Sequence, residues 1–156
     1  MSETSLCDKQ LYYRQTVNMK KFSLHFDGYW REINKKYIPE DSGIYLIYTC
    51  RNNPENNTVS LSELIYIGQA VNLRKRIANH NEEEFQEVLS SGETLCYACA
   101  SVDKSNLNIV ENGMVFAEKP PYNTALRDKY DHEDSQFEID GRCELLNYTN
   151  FTITTK

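Results

Sequence analysis

Two short apolar runs, Gly43-Ile44-Tyr45-Leu46-Ile47-Tyr48 and Leu64-Ile65-Tyr66-Ile67-Gly68, limit what the middle of this chain can become. Each is too short for a buried helix and carries β-branched and aromatic residues, so each reads as a buried strand. The stretch between them, RNNPENNTVSLSE at 51–63, is polar and rich in Asn. It reads as a loop or an extended hairpin, and the two strands are expected to pair antiparallel. Pro39-Glu40-Asp41-Ser42-Gly43 breaks the chain before the first of them.

After the second run the pattern becomes helical. Asn72 is a suitable N-cap. Leu73 and Ile77 lie four apart, and Phe85, Val88 and Leu89 continue an apolar face as far as Gly92. Arg76 and His80, also four apart, would share a face of that helix. Leu95 to Val102 is expected as a third strand. Ser105 would cap a second helix carrying Leu107, Val110, Met114 and Ala117, which Pro120-Pro121 stops. Gly113 inside it costs about 1 kcal/mol relative to Ala. Phe22 to Phe26 alternates like a half-buried strand, Asp27-Gly28 signals a turn, and Tyr29 to Tyr37 suggests a short helix. Phe137-Glu138-Ile139 and Phe151-Thr152-Ile153 read as a C-terminal strand pair.

The chain of 156 residues has room for one domain with a modest core. No apolar stretch is long enough for a signal peptide or a membrane span, so a cytoplasmic protein without a membrane partner is expected. Five cysteines, an odd number, fit reduced thiols better than a disulfide framework. Cys96 and Cys99 form a lone C-x-x-C with no further zinc ligands at a plausible spacing. Residues three apart on a strand face opposite ways, so these read as buried thiols. The formal net charge of −6 argues against tight non-specific binding of nucleic acid. Charge is nonetheless clustered: Arg74, Lys75 and Arg76 precede Glu82, Glu83 and Glu84, which predicts a small basic patch on an acidic body.

Phosphodiester hydrolysis needs a cation at the phosphate, a base for water and a carboxylate for a divalent metal. Tyr66 leads through Gly68 into the helix carrying Arg76 and His80, so these side chains can converge. Glu111 lies beside Val110 and Met114 on an apolar face, where a carboxylate needs a partner or a metal. One carboxylate suffices for magnesium, which keeps several waters.

The run from Tyr66 to His80, YIGQAVNLRKRIANH, together with Gly43-Ile44-Tyr45, resembles the GIY-YIG nuclease family. The run Val110 to Asn123, VENGMVFAEKPPYN, is similar to the metal-glutamate helix and closing Pro-x-Tyr-Asn of the family's repair excinucleases. The similarity covers about residues 41–128. It implies an α/β fold with a small, mainly antiparallel three-stranded sheet flanked by helices, an N-terminal extension over 1–40 and a C-terminal extension over 129–156. It also implies a DNA endonuclease using one Mg²⁺ or Mn²⁺, with RNA not excluded as substrate. By the same resemblance Arg76 is catalytic, His80 stands where homing endonucleases carry a histidine, Glu111 is the metal ligand and Asn123 a supporting residue. Tyr45 and Tyr66 are both carried as the base, with Tyr66 preferred.

Two departures stand out. The spacing from Tyr45 to Tyr66 is longer than usual in the family, and Gln69 occupies a lysine position. The lysine's contribution is then either absent or supplied by Arg74 or Lys75, and Gln69 and Arg127 complete the expected nucleic-acid contacts. The alternative is a catalytically silent module of the same fold that binds nucleic acid or protein.

Overall fold

The computed structural model describes residues 4–8, 19–80 and 82–155. They build one curled sheet of seven strands: β1 Thr4–Asp8, β2 Lys20–Arg31, β3 Gly43–Asn53, β4 Thr58–Ala70, β5 Thr94–Ser101, β6 Ser135–Gly141 and β7 Asn150–Thr155. Their spatial order is β1-β7-β6-β2-β5-β3-β4. Every pairing is antiparallel except β2 with β6. Two helices, α1 Leu73–Ala78 and α2 Leu107–Glu118, complete the architecture.

The expected three-stranded sheet is present as β3, β4 and β5, but it is not the whole sheet. Strand β2 pairs with the free side of β5, and β6 and β7 extend the sheet from there. The reason lies in patterning. Strand β2 buries alternate residues Phe22, Leu24 and Phe26, and an alternating strand satisfies its backbone only beside another strand. The described strands on either side of 41–128 thus belong to the same sheet. The first three residues and 9–18 lie outside the described residues.

Strand β3 is buried on both faces, from Gly43 to Cys50, as expected of its unbroken apolar run. On one face Ile44, Leu46 and Tyr48 pack with Leu107, Val110 and Met114 of α2. On the other, Tyr45 and Ile47 pack with Leu73 and Ile77 of α1 and with Phe85. Cys96 and Cys99 point to opposite faces and are buried, free thiols. Gly113 of α2 has a packing reason. A Cβ there would lie 2.3 Å from Phe137 Cζ on β6, so the glycine lets the helix sit close to the sheet.

The stretch at 51–63 is an extended hairpin, paired from Gly43↔Ala70 out to Asn53↔Thr58. It therefore absorbs the long spacing between Tyr45 and Tyr66. Four expectations change. Asp27-Gly28 does not reverse the chain but falls where the register of β2 against β5 shifts, the bulge being the other use of such a glycine. Tyr29 to Tyr37 holds the end of β2 and only a 3-10 turn at Lys35–Tyr37. The helix begun at Leu73 stops at Ala78 rather than running to Gly92, and a separate 3-10 turn spans Glu82–Phe85. Asp103, not Ser105, accepts the capping hydrogen bond before α2, from the Ser105 backbone N–H. Among the described residues no helix is long and apolar enough to cross a membrane.

Candidate active site

Strand β4 is the edge of the sheet, and an unpaired edge must be covered or blunted. The loop after α2 does this. Tyr122 donates its backbone N–H to Ile65 O (2.9 Å). Asn123 then acts as a substitute strand residue: its Oδ1 accepts from Ile67 N (2.9 Å) and its Nδ2 donates to Ile67 O (2.8 Å). The side chain of Asn123 is spent on the backbone of β4, so it supports the strand that carries Tyr66 and Gly68.

Within β3 and β4, register places Tyr45 opposite Gly68 and Ile47 opposite Tyr66. Both tyrosines therefore lie on the α1 face, with ring centroids 6.1 Å apart. Gly68 makes room for Tyr45. A Cβ at that position would stand 2.4 Å from the Tyr45 Cζ and hydroxyl oxygen. Tyr45 is fully buried, whereas Tyr66 is half-buried.

Helix α1 begins at Asn72, whose side chain accepts from Lys75 N, and it presents Arg76 toward the tyrosines. His80 is not on the helix. It sits just past the Asn79 C-cap, its N–H bonded to Ile77 O (3.0 Å) and its own carbonyl accepting from Lys35 Nζ (2.8 Å). This turn still brings it to the site. The His80 ring is buried against both phenols, 5.5 Å from the Tyr45 ring and 6.0 Å from the Tyr66 ring, with Nε2 2.9 Å from Tyr45 Oη. Its Nδ1 meets Glu84 Oε2 at 2.9 Å. Burial pushes the Tyr45 phenol well above its ordinary pKa and Tyr66 adds to the shift, while the Arg76 guanidinium beside it pulls the other way.

Glu111 approaches the same end of β4 from the α2 side. Its Oε1 accepts from Gln69 Nε2 at 2.8 Å, and the same amide nitrogen donates to Asn108 Oδ1 at 2.8 Å. Burial raises the Glu111 carboxyl pKa, opposed by the Gln69 N–H groups and by the positive charge of Arg76. Tyr45 and Glu111 thus flank the end of β4 from different faces of the sheet. Among the described residues no three His, Cys, Asp or Glu side chains gather as a metal cage. A half-buried carboxylate with waters completing the shell fits magnesium, which uses few protein ligands.

The other expected nucleic-acid contacts have structural work. Arg74 bonds Ile38 O (2.7 Å) and Glu40 Oε1 (3.2 Å). Arg127 bonds the carbonyls of Pro120 and Asn123. Gln69 holds Glu111. Lys75 and Arg76 are exposed on α1. Glu84 is a functional candidate that the sequence does not single out. Its signal is the spacing His80-x-x-x-Glu84, hidden within a run that reads only as surface acid.

The chain is similar to the UvrABC system protein C of several organisms. It is 29% identical to that of Hydrogenovibrio crunogenus over 99 residues, 60% of this chain and 14% of the relative. The Fusobacterium nucleatum protein is 30% identical over 103 residues, 63% of this chain and 15% of the relative. The Cytophaga hutchinsonii protein is 32% identical over 98 residues, 60% and 15%. The resemblance drawn from the motif residues, to the repair excinucleases within the GIY-YIG nucleases, is the one these matches bear out. The chain spans about one seventh of the length of these relatives. No family model and no solved structure matches it.

Proposed function

We propose that this protein is a metal-dependent endonuclease that hydrolyses phosphodiester bonds in DNA through a GIY-YIG active site carried by residues 41–128. The observation that carries the reading is the cluster at the end of β4: the Tyr45, Tyr66 and His80 rings pack within 6.1 Å of one another, and Gln69 of the same strand holds the Glu111 carboxylate at 2.8 Å. A phenol pair, a carboxylate and the exposed guanidinium of Arg76 on the adjoining helix supply the parts that hydrolysis of a phosphate diester requires. Similarity to the UvrABC system protein C supports the same choice of substrate.

In this reading Arg76 stabilises charge on the phosphate as water attacks phosphorus and the bond to the leaving sugar oxygen breaks. Tyr66, the more accessible phenol, acts as the phenolate: its own proton is first lost to solvent, and its oxygen then takes the proton from the attacking water. Tyr45 and His80 form the buried floor behind it. Glu111 would hold one Mg²⁺ or Mn²⁺, and a cation bound there supplies charge neutralisation at the phosphate. Asn123 fixes the strand on which Tyr66 and Gly68 stand. Lys75 makes a backbone contact beside Arg76.

A silent binding module of the same fold is the second reading. The observation favouring it is Gln69, whose amide occupies the Glu111 carboxylate where the family has lysine. One assay separates the two: cleavage of plasmid and of oligonucleotide DNA and RNA with Mg²⁺ or Mn²⁺, wild type beside Glu111→Gln. Metal-dependent cleavage of DNA lost in the variant is expected. Binding without cleavage under every condition would favour the module.

A further inference from the structure

We propose that Glu84 is a positioning residue: by accepting from His80 Nδ1 it fixes the histidine tautomer that holds the Tyr45 hydroxyl in place. The inference deepens the nuclease reading and rests on it for its effect on turnover.

Burial sets the direction of these hydrogen bonds. Tyr45 is 0% exposed, and its hydroxyl has His80 Nε2 at 2.9 Å. A buried O–H left without an acceptor is costly, so Nε2 must accept and cannot carry a proton. The proton of the neutral imidazole is then on Nδ1, which points at Glu84 Oε2, 2.9 Å away. The carboxylate is the partner that selects this form, because the hydrogen bond made by one ring nitrogen decides the state of the other.

The resulting chain runs in one direction, from Tyr45 to His80 to Glu84, and leaves the phenol oxygen's lone pairs for the Arg76 guanidinium beside it. A second proton on His80 would reverse the inner bond and strand the Tyr45 O–H. The polar groups facing the imidazole are Tyr45 and Tyr66 from the sheet and Glu84 from the 3-10 turn, with Lys35 on the His80 carbonyl. Glu84 alone among these meets Nδ1 at hydrogen-bond distance among the described residues.

The chain has three histidines, so the His80 ring nitrogens are assignable in ¹⁵N NMR of the full-length protein. The wild type is expected to show Nδ1 protonated and Nε2 bare, the reverse of the form a free histidine side chain favours. Glu84→Ala should lose that preference, while Glu84→Gln, whose amide oxygen still accepts, should keep it. Single-turnover DNA cleavage should fall roughly tenfold to a hundredfold in Glu84→Ala, the scale on which partners that orient a functional histidine act, and recover in Glu84→Gln. DNA affinity should be unchanged. An Nε2-protonated wild type, or a tautomer indifferent to Glu84→Ala, overturns the proposal. So does a lost tautomer with an unaltered cleavage rate. Should the wild type cleave nothing, the nuclease reading fails, and the NMR comparison still decides whether Glu84 controls His80.

Discussion

Gly68 carries the ring of Tyr45 against its own backbone, so closely that a β-carbon on residue 68 would lie 2.4 Å from the phenol oxygen. The two are cross-strand partners in the β3–β4 register, and the tyrosine has no room to move because it is wholly buried. The glycine of the second motif and the tyrosine of the first are therefore one packing unit.

Gly68→Ala should displace Tyr45 and destabilise the fold by about 1–3 kcal/mol, the usual cost of overpacking. For a chain of this size that is a fall in Tm of about 2–4 °C per kcal/mol. Tyr45→Leu removes the ring carbons and the hydroxyl oxygen that clash, so the double variant should lose less than the sum of the two single losses. Calorimetry on the four proteins checks this. Strict additivity would mean that the ring does not rest on Gly68.

Much of this was legible in the sequence because the deciding signals are local. Unbroken apolar runs give buried strands, and Asn72 caps a helix whatever surrounds it. Tyr66 leads through Gly68 into the helix of Arg76, so those two can converge, whereas the placing of Tyr45 on the same face waits on the β3–β4 register. What was not legible depended on partners distant in the chain. Nothing near Phe22 or Phe137 says that β2 and β6 will lie side by side and in parallel. Apolar spacing from Leu73 to Leu89 looks like one helix, yet His80 leaves the helix to reach Tyr45 and Glu84. Arg74 and Arg127 read as free cations, but nearby backbone carbonyls claim them.

Glu111 gives a prediction that needs no activity. Burial raises its carboxyl pKa above the unfolded value, so its contribution favours the fold at low pH and is lost as pH rises through that raised value. A divalent cation requires the ionised form and should offset the loss. Melting temperatures over roughly pH 4 to 8, spanning the carboxylate range, should therefore show Mg²⁺ or Mn²⁺ stabilisation growing with pH. Glu111→Gln should abolish the metal-dependent part and all cleavage while leaving the protein folded. Metal stabilisation that survives in Glu111→Gln would place the cation elsewhere.

Asn123→Ala should act through stability. It removes both bonds to the Ile67 backbone and leaves a buried N–H and C=O unpaired, about 1–3 kcal/mol for each group left unsatisfied. Amide hydrogen exchange at Ile67 should accelerate. Unchanged exchange would show that the loop does not depend on this side chain.

Arg76→Lys keeps the charge and loses the planar fork. Turnover on saturating DNA should fall about a hundredfold, as on loss of a donor that stabilises transition-state charge. Affinity should change no more than about fivefold, the scale of an exposed charge contact. The opposite pattern, weak binding with turnover retained, would make Arg76 a backbone clamp.

The two tyrosines are separated by their burial. A phenol serves as base only where its proton can be drawn off, and burial pushes Tyr45 well above its ordinary value with Arg76 offsetting only part of the shift. Its hydroxyl is also committed to His80. Tyr66 is half-buried on the same face, open enough to meet water held against a phosphate. Tyr66→Phe should lower the single-turnover rate by about 10²–10⁴, the contribution of a positioned general base, at little cost in stability. Tyr45→Phe should do the reverse: a smaller rate loss, with about 1–3 kcal/mol of stability lost because His80 Nε2 is left without its donor. Paired rate and Tm measurements on the two variants decide it, and a larger rate loss in Tyr45→Phe would move the base to the buried tyrosine.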